Sequence, residues 1–399
     1  MIARKVAAGA DAILFRRTWL IITVAVALVA VHSWMFKPAG DFGVFYNAGR
    51  RLLRGEALYL PEVLPFKYAP PVALLFAPLA LLPEALARLI WLLLSAAAIV
   101  RFQWLGARLS HCIRSTSHLV VLVLLLPFIQ VLLSWGQCDA ILLLLMIQSE
   151  LWANRRPWIS GVLWAMACLF KLPFLIFMCV ALALGQCRRL LGLLIGLLGG
   201  ISIAALRYGI PTTVSQFLAW LEVLRQTTPS LFCAPTNQSA FGIACSYFSS
   251  PSNVRAFFIA AAAISAGVFL FHAIATIFTW RRDAARGRTL ATALQFHLTA
   301  FMSPLGWRAN LLSAAPLAYL LLSSKQSNLT WPPRVALVGL LAMTVGFLGY
   351  EVVGPDAFRR LLLARYLGLA ITITALAAGA SQAMLPTTVL PASVKPSAH

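Results

Sequence analysis

Ala256-Phe-Phe-Ile-Ala-Ala-Ala-Ala-Ile-Ser-Ala-Gly-Val-Phe-Leu-Phe-His-Ala-Ile-Ala-Thr-Ile-Phe-Thr279 runs for 24 residues without a charged side chain. About 20 such residues in a helix span the hydrocarbon of a bilayer. Thr18–Val31 and Leu119–Leu133 repeat the pattern elsewhere in the chain. These runs are too long and too uniformly apolar for the alternating strands of a barrel. In lipid, a helix satisfies every backbone polar group within one segment. Composition agrees, with 61% hydrophobic and 11% charged residues, against roughly 25% charged in a soluble chain. The expectation is an all-α, polytopic integral membrane protein, with residues 1–399 forming a single membrane domain.

The charge is lopsided: 32 Lys and Arg against 11 Asp and Glu, a net +21. In a soluble protein this would suggest nucleic acid. Here the cations gather in short loops between apolar runs, so they report topology, and no nucleic-acid partner is expected. The apolar spans read as 18–35, 68–83 with 84–102, 118–134, 139–153, 158–171, 172–186, 190–206, 254–280, 290–305, 308–323, 333–350 and 361–380, about 11–13 membrane helices. The first reads as an uncleaved helix, because no small-residue cleavage site follows it cleanly. Residues 381–399 read as a disordered tail.

Six compact basic loops mark one side: Arg4/Lys5/Arg16/Arg17, Arg101/Arg108/Arg114, Arg155/Arg156, Arg188/Arg189, Arg281/Arg282/Arg286/Arg288 and Lys325/Arg334. Placing them in the cytoplasm makes the spans alternate and puts both termini inside, provided 68–102 crosses once in full and once in part, with its break at Pro83-Glu84. The other face then receives the loop 36–67, the turn Ser134–Asp139, Lys171-Leu-Pro173, the long loop 207–253, the turn Ser303–Asn310, and Glu351–Asp356. Nearly all the distinctive polar residues fall on this outer face.

In the first outer loop, 41–66, Phe42, Phe45, Leu52 and Leu53 fit one side of an interfacial helix, with Arg50, Arg51 and Arg54 around another. Asp41 stands at the N-cap position of that helix. It reads either as a cap or as a catalytic carboxylate at the membrane surface. It is one of few outer acids, with Glu56, Glu62, Asp139, Glu222, Glu351 and Asp356, and it directly follows the first span. Outer cations that defy the positive-inside trend include Arg50, Arg51, Lys67, Lys171 and Arg308. Lys171 interrupts the apolar stretch Cys168-Leu-Phe-Lys-Leu-Pro-Phe174, either as a snorkelling lysine or as a phosphate ligand.

Several motifs recur in a fixed order. Asp41…Tyr46…Gly55…Tyr59, Phe66-Lys-Tyr68-Ala-Pro70-Pro71 and Pro78…Pro83 resemble the opening of glycosyltransferase family 87, the polyprenyl-phosphate-mannose-dependent mannosyltransferases of the GT-C class. Gly136-Gln137-Cys-Asp139 resembles that family's Gly-Gln-x-Asn turn. Gly161…Lys171-Leu-Pro173 with Arg188-Arg189 resembles its Gly…Lys-x-Pro…Arg-Arg segment. Asn237-Gln238-Ser239 and Ser303-Pro304-Leu-Gly-Trp307 resemble its Asn-Gln-Ser and Ser-Pro-x-x-Trp motifs. The resemblance covers about residues 41–310. Two positions depart from it: Asp139 stands where Asn is usual, and Arg308-Ala-Asn310 where histidines often follow the tryptophan.

The resemblance implies a GT-C-like bundle that moves a hexose, mannose by family, from a polyprenyl-phosphate sugar to a lipid-linked or glycan acceptor, with inversion. Asp41 would be the general base. Lys171, Arg308, Arg50, Arg51, Lys67, Tyr68, Gln137, Asp139, Asn237, Gln238, Trp307 and Asn310 would form the substrate site, the cations stabilising the leaving phosphate. The chain has no tight Asp-x-Asp pair, so neither a metal nor a cofactor is expected. A bacterial inner membrane with a periplasmic active face suits the Leu, Ala and Arg richness. The rival class is a secondary transporter or flippase, which would show internal repeats and binding residues near mid-membrane; no repeat is visible. Cys233 and Cys245 share the long outer loop, where an oxidising compartment would permit a disulfide, provided their Cα atoms lie within about 7 Å.

Overall fold

The computed structural model describes residues 2–112, 114–248, 254–323 and 350–384; the basic pair Lys325/Arg334, the span 333–350 up to its last residue, and the tail from 385 onward lie outside the described residues. All of the described regular structure is helical. The first long helix is α1 (Ile2–Phe36), followed by the amphipathic α2 (Asp41–Arg54), α3 (Pro70–Ala80) and α4 (Glu84–Leu109). Then come α5 (Ser115–Trp135), α6 (Asp139–Trp152), α7 (Pro157–Phe170), a 3₁₀ turn at Leu172–Ile176, α8 (Phe177–Ala183) and α9 (Cys187–Tyr208). The second half holds α10 (Ile210–Thr227), α11 (Ala240–Phe248), α12 (Val254–Arg282), α13 (Ala284–Phe301), a 3₁₀ helix at Arg308–Ala314, and α14 (Ala315–Leu322). It ends with α15 (Pro355–Leu363) and α16 (Tyr366–Met384).

Six of these helices are long and apolar enough to cross a membrane: α1, α4, α5, α9, α12 and α16. Of the expected 11–13, the span 333–350 lies almost wholly outside the described residues, and several others fall in elements of 10–17 residues, such as Pro157–Phe170 and Leu172–Ala183, too short to span about 30 Å alone at 1.5 Å per residue. The stretch 68–102 divides into the short α3 and the long α4, with the break at Pro83. The chain is a multi-pass, all-α membrane protein.

Three details differ from the sequence reading. The stretch 207–253 is no extended loop, because α10 and α11 fill most of it. The span 361–380 divides into α15 and α16, separated at Arg365, whose φ is positive at 56°. Residues 381–384 continue α16 rather than beginning a tail.

α2 forms as expected, burying Phe42, Phe45, Tyr46, Ala48, Gly49 and Leu52. Leu53 instead faces outward at 41% exposure. Phe45 stacks on Phe76 at 4.5 Å, and Trp91 lies 4.9 Å from Phe76; such pairs contribute about 0.5–1.5 kcal/mol each beyond area burial. At the opposite end of α6, buried Arg189 pairs with Glu150 and donates to Ser149 Oγ and Gln186 Oε1. This pair is a structural clamp between α6 and α9.

Candidate active site

Two glycines bring α2 against α5. Gly40 is the N-cap of α2 with φ 55°, and Gly136 caps α5 in the left-handed region with φ 64°. A Cβ on Gly40 would lie 2.8 Å from the Trp135 carbonyl, and one on Gly136 would lie 2.8 Å from Phe42 Cβ. Trp91 locks the turn by donating its indole N–H to Gly136 O at 2.8 Å. The apposition sets Asp41, at the start of α2, beside Gln137, just past the end of α5.

Asp41 is therefore not the cap: Gly40 occupies that position, and no side-chain capping bond is made at this end of α2. Its partly buried carboxylate accepts from the Gln137 side chain and feels the Lys171 ammonium and the Asp139 carboxylate. Burial raises its pKa above the ordinary carboxylate value, with Lys171 and Gln137 opposing and Asp139 assisting. The cation that opposes the shift is Lys171, and burial outweighs it.

Asp139 opens α6 and is 4% exposed. It accepts both oxygens' worth of contact from Lys171 Nζ, at 2.9 and 2.8 Å, and a further bond from Asn310 Nδ2 at 2.7 Å. Lys171 sits where α7 gives way to the 3₁₀ turn, in extended backbone that lets the side chain return over α6. Asn310 is itself fixed, because its Oδ1 accepts from the Trp307 backbone N–H at 2.8 Å. Tyr68 stands in the same cluster, within electrostatic reach of Asp41, Asp139 and Cys138. Residues from five separate stretches thus meet where helices α1, α5 and α7 end and α6 begins.

Other nominated residues have different partners. Gln238 donates to Pro235 O and Leu362 O and accepts from Gly368 N–H, so the amide beside Asp41 is Gln137 and not Gln238. Asn237 donates to Phe232 O and Pro304 O, and its Oδ1 accepts from Gly306 N–H at 2.8 Å. The Asn-Gln-Ser segment therefore braces the turn that carries Trp307 and Asn310. Arg51 pairs with Glu62, Arg50 lies 5.9 Å from the Tyr46 ring centroid, and Lys67 donates to Thr227 O at 3.3 Å. Burial lowers the Lys67 pKa. Arg308 lies over Phe358 at 5.0 Å. Arg50, Arg51 and Lys67 thus engage partners outside the Asp41–Lys171 cluster.

One feature escaped the sequence reading. Arg365, 1% exposed, donates to the carbonyls of Cys233, Ala234, Asn237 and Gly242 and to Ser246 Oγ. Its signal was a lone cation beside an apolar span, the same one that marked Lys171. Cys233 and Cys245 form a disulfide, with Cα atoms 5.4 Å apart. No group of three or more His, Cys, Asp or Glu side chains able to hold a metal occurs among the described residues. Two grooves of about 430 and 450 Å³ lie elsewhere, and neither is lined by Asp41, Asp139 or Lys171.

Fold and site define a multi-pass membrane protein with a carboxylate–lysine–amide cluster gathered at its helix ends. The chain belongs to glycosyltransferase family 87, whose family model matches residues 66–304, more than half of its length. The matched stretch contains Gln137, Asp139 and Lys171, whereas Asp41 precedes it and Trp307, Arg308 and Asn310 follow it. No curated protein and no solved structure matches the chain. It is a membrane glycosyltransferase.

Proposed function

We propose that this glycosyltransferase moves a hexose, mannose by family resemblance, from a polyprenyl-phosphate sugar to a lipid-linked or glycan acceptor. The reaction takes place at the non-cytoplasmic face, periplasmic in a bacterial inner membrane. Asp41 is the general base. It takes the proton of an acceptor hydroxyl, whose oxygen attacks the anomeric carbon as the bond from that carbon to the phosphate oxygen breaks. Polyprenyl phosphate departs with the bonding pair, and the sugar configuration inverts because no covalent glycosyl enzyme intervenes. Lys171 leaves part of its contact with Asp139 to meet the phosphate, whose growing charge it offsets. Tyr68, Gln137, Asn310 and Trp307 shape the sugar and acceptor site. Arg308, Arg50, Arg51 and Lys67 attract the anionic donor from the rim, and Asn237 and Gln238 hold the Trp307 turn.

The observation that supports this reading most is the pairing at Asp41. Its carboxylate is not used to cap α2, and it shares Gln137 with a vacant partner position, since Gln137 Oε1 is buried without a hydrogen bond. A buried acceptor oxygen without a donor is costly by about 1–3 kcal/mol. A substrate hydroxyl would satisfy it within reach of the base. The test is a membrane assay with polyprenyl-phosphate mannose and extracted lipid acceptors, comparing wild type with Asp41→Asn. The variant keeps the side chain's shape and loses its basicity, so transfer should fall at least about a hundredfold while the protein still folds. Near wild-type transfer would remove Asp41 from the mechanism and leave Glu56, Asp139 and Glu222 as the acids to test.

A further inference from the structure

A groove of about 450 Å³ opens between α1 and α4, at the end of the bundle away from Asp41. The two helices run antiparallel: at the Asp41 end Trp34 Nε1 donates to Ala85 O and Arg88 donates to Ser33 O, so at the far end Arg16 faces Arg101. The mouth of the groove is lined by Arg16, Trp19, Arg101 and Trp104, and its floor by Thr23 and Ala97. Thr23 lies seven residues beyond Arg16, about 10 Å deeper along α1. Its hydroxyl is already bonded to Trp19 O at 2.7 Å, so the floor offers carbon rather than a free polar group.

The mouth is the opposite. Arg16, Arg101 and Arg108 are exposed, and none has an ion-pair partner among the described residues. Arg101 and Arg108 both stack on the Trp104 ring, at 4.1 and 4.7 Å, which brings two like charges together on one indole. Trp19 Nε1 is buried without a hydrogen-bond partner. Two arginines set at the open end of an apolar trough, with Arg108 stacked beside them on Trp104, suit an anion that carries a hydrocarbon chain. A small soluble anion would leave the trough unused, and a zwitterionic headgroup brings its own cation to a site that already has two. Basic recesses between membrane helices are the recognised form of anionic-lipid sites.

We infer that this groove binds an anionic membrane phospholipid, its phosphate on Arg16 and Arg101 and one acyl chain along Thr23 and Ala97. The site is separate from the transfer chemistry, and the inference does not rest on the donor assigned above. Its position across the α1–α4 seam means that an occupied groove ties together the two helices whose other ends support Asp41.

Native mass spectrometry of the full-length protein in detergent tests the inference, with phosphatidylglycerol and phosphatidylcholine titrated in turn. The expected result is one retained phosphatidylglycerol at about thirtyfold lower concentration than phosphatidylcholine, the scale set by two arginines near a lipid phosphate. Arg16→Gln/Arg101→Gln should abolish the preference, and Arg155→Gln/Arg156→Gln, a basic pair outside the groove, should keep it. A double Arg16/Arg101 variant that retains the preference overturns the site. A diazirine-bearing phosphatidylglycerol on the wild-type protein gives an independent readout, and cross-links confined to helices other than α1 and α4 overturn it as well. Displacement of phosphatidylglycerol by equimolar polyprenyl phosphate would assign the groove to the donor lipid and defeat the inference in that way.

Discussion

Replacing Lys171 by Met removes the ammonium and keeps a side chain of similar length. Asp139 is then left 4% exposed with Asn310 as its one remaining side-chain donor. Breaking a buried pair from one side costs about 3–5 kcal/mol, because a charge remains without compensation. The Lys171 side chain is 24% exposed, so water can reach the site, and the low end of that range, about 3 kcal/mol, is the expectation. Asp139→Asn in the Lys171→Met background removes the stranded charge while keeping an oxygen for Asn310. The double variant should recover about 2 kcal/mol relative to Lys171→Met alone. Denaturant titration in detergent, followed by near-ultraviolet circular dichroism, gives the four corners of the cycle. Strictly additive losses would refute the claim that these two residues hold each other in the folded state. The single variant has a second signature, since Lys171 restrains the Asp41 pKa and its loss should raise that value further.

The acid limb of kcat/KM should lie above the ordinary carboxylate value of about 3.9: burial raises the Asp41 pKa, the base works only when deprotonated, and activity is therefore lost as pH falls through this raised value. A limb at or below 3.9 would contradict the placement of Asp41. Maleimide labelling of the denatured, unreduced protein should add to five cysteines, Cys112, Cys138, Cys168, Cys179 and Cys187, and to all seven after reduction. Cys233→Ser/Cys245→Ser should lower stability by about 2–3 kcal/mol, the scale for a loop of this length, and thermal midpoints with and without reductant check it.

The membrane architecture was legible because 20-residue apolar runs have few alternatives in lipid. α2 was legible from its periodicity, although the pattern placed Leu53 on the wrong side. Periodicity fixes which face of a helix a residue occupies and not what it reaches: Arg50 and Arg51 were rightly set on the polar face, yet Tyr46 and Glu62 take them up locally. The pairing of Asp139 with Lys171 was out of reach, because 31 intervening residues carry no local sign of where two helix ends meet. The stretch 207–253 read as a loop because it lies between the spans 190–206 and 254–280; Pro211, Pro229 and Pro235 fall within it. Two of these prolines sit in the first turn of helical segments, where proline is tolerated.

The bonding around Arg365 sets an order for biogenesis. Asp41, Asp139 and Lys171 leave the ribosome early, and α1 to α7 can insert and bring them together while the rest is still being made. Asn310 follows later, and Arg365 last of all. Until it arrives, the carbonyls of Cys233, Ala234, Asn237 and Gly242 lack their common donor, and the turn bearing Asn310 leans on an unfinished brace. The newly inserted chain therefore carries Asp41, Asp139 and Lys171 long before Arg365 emerges to fix the segment that braces Asn310.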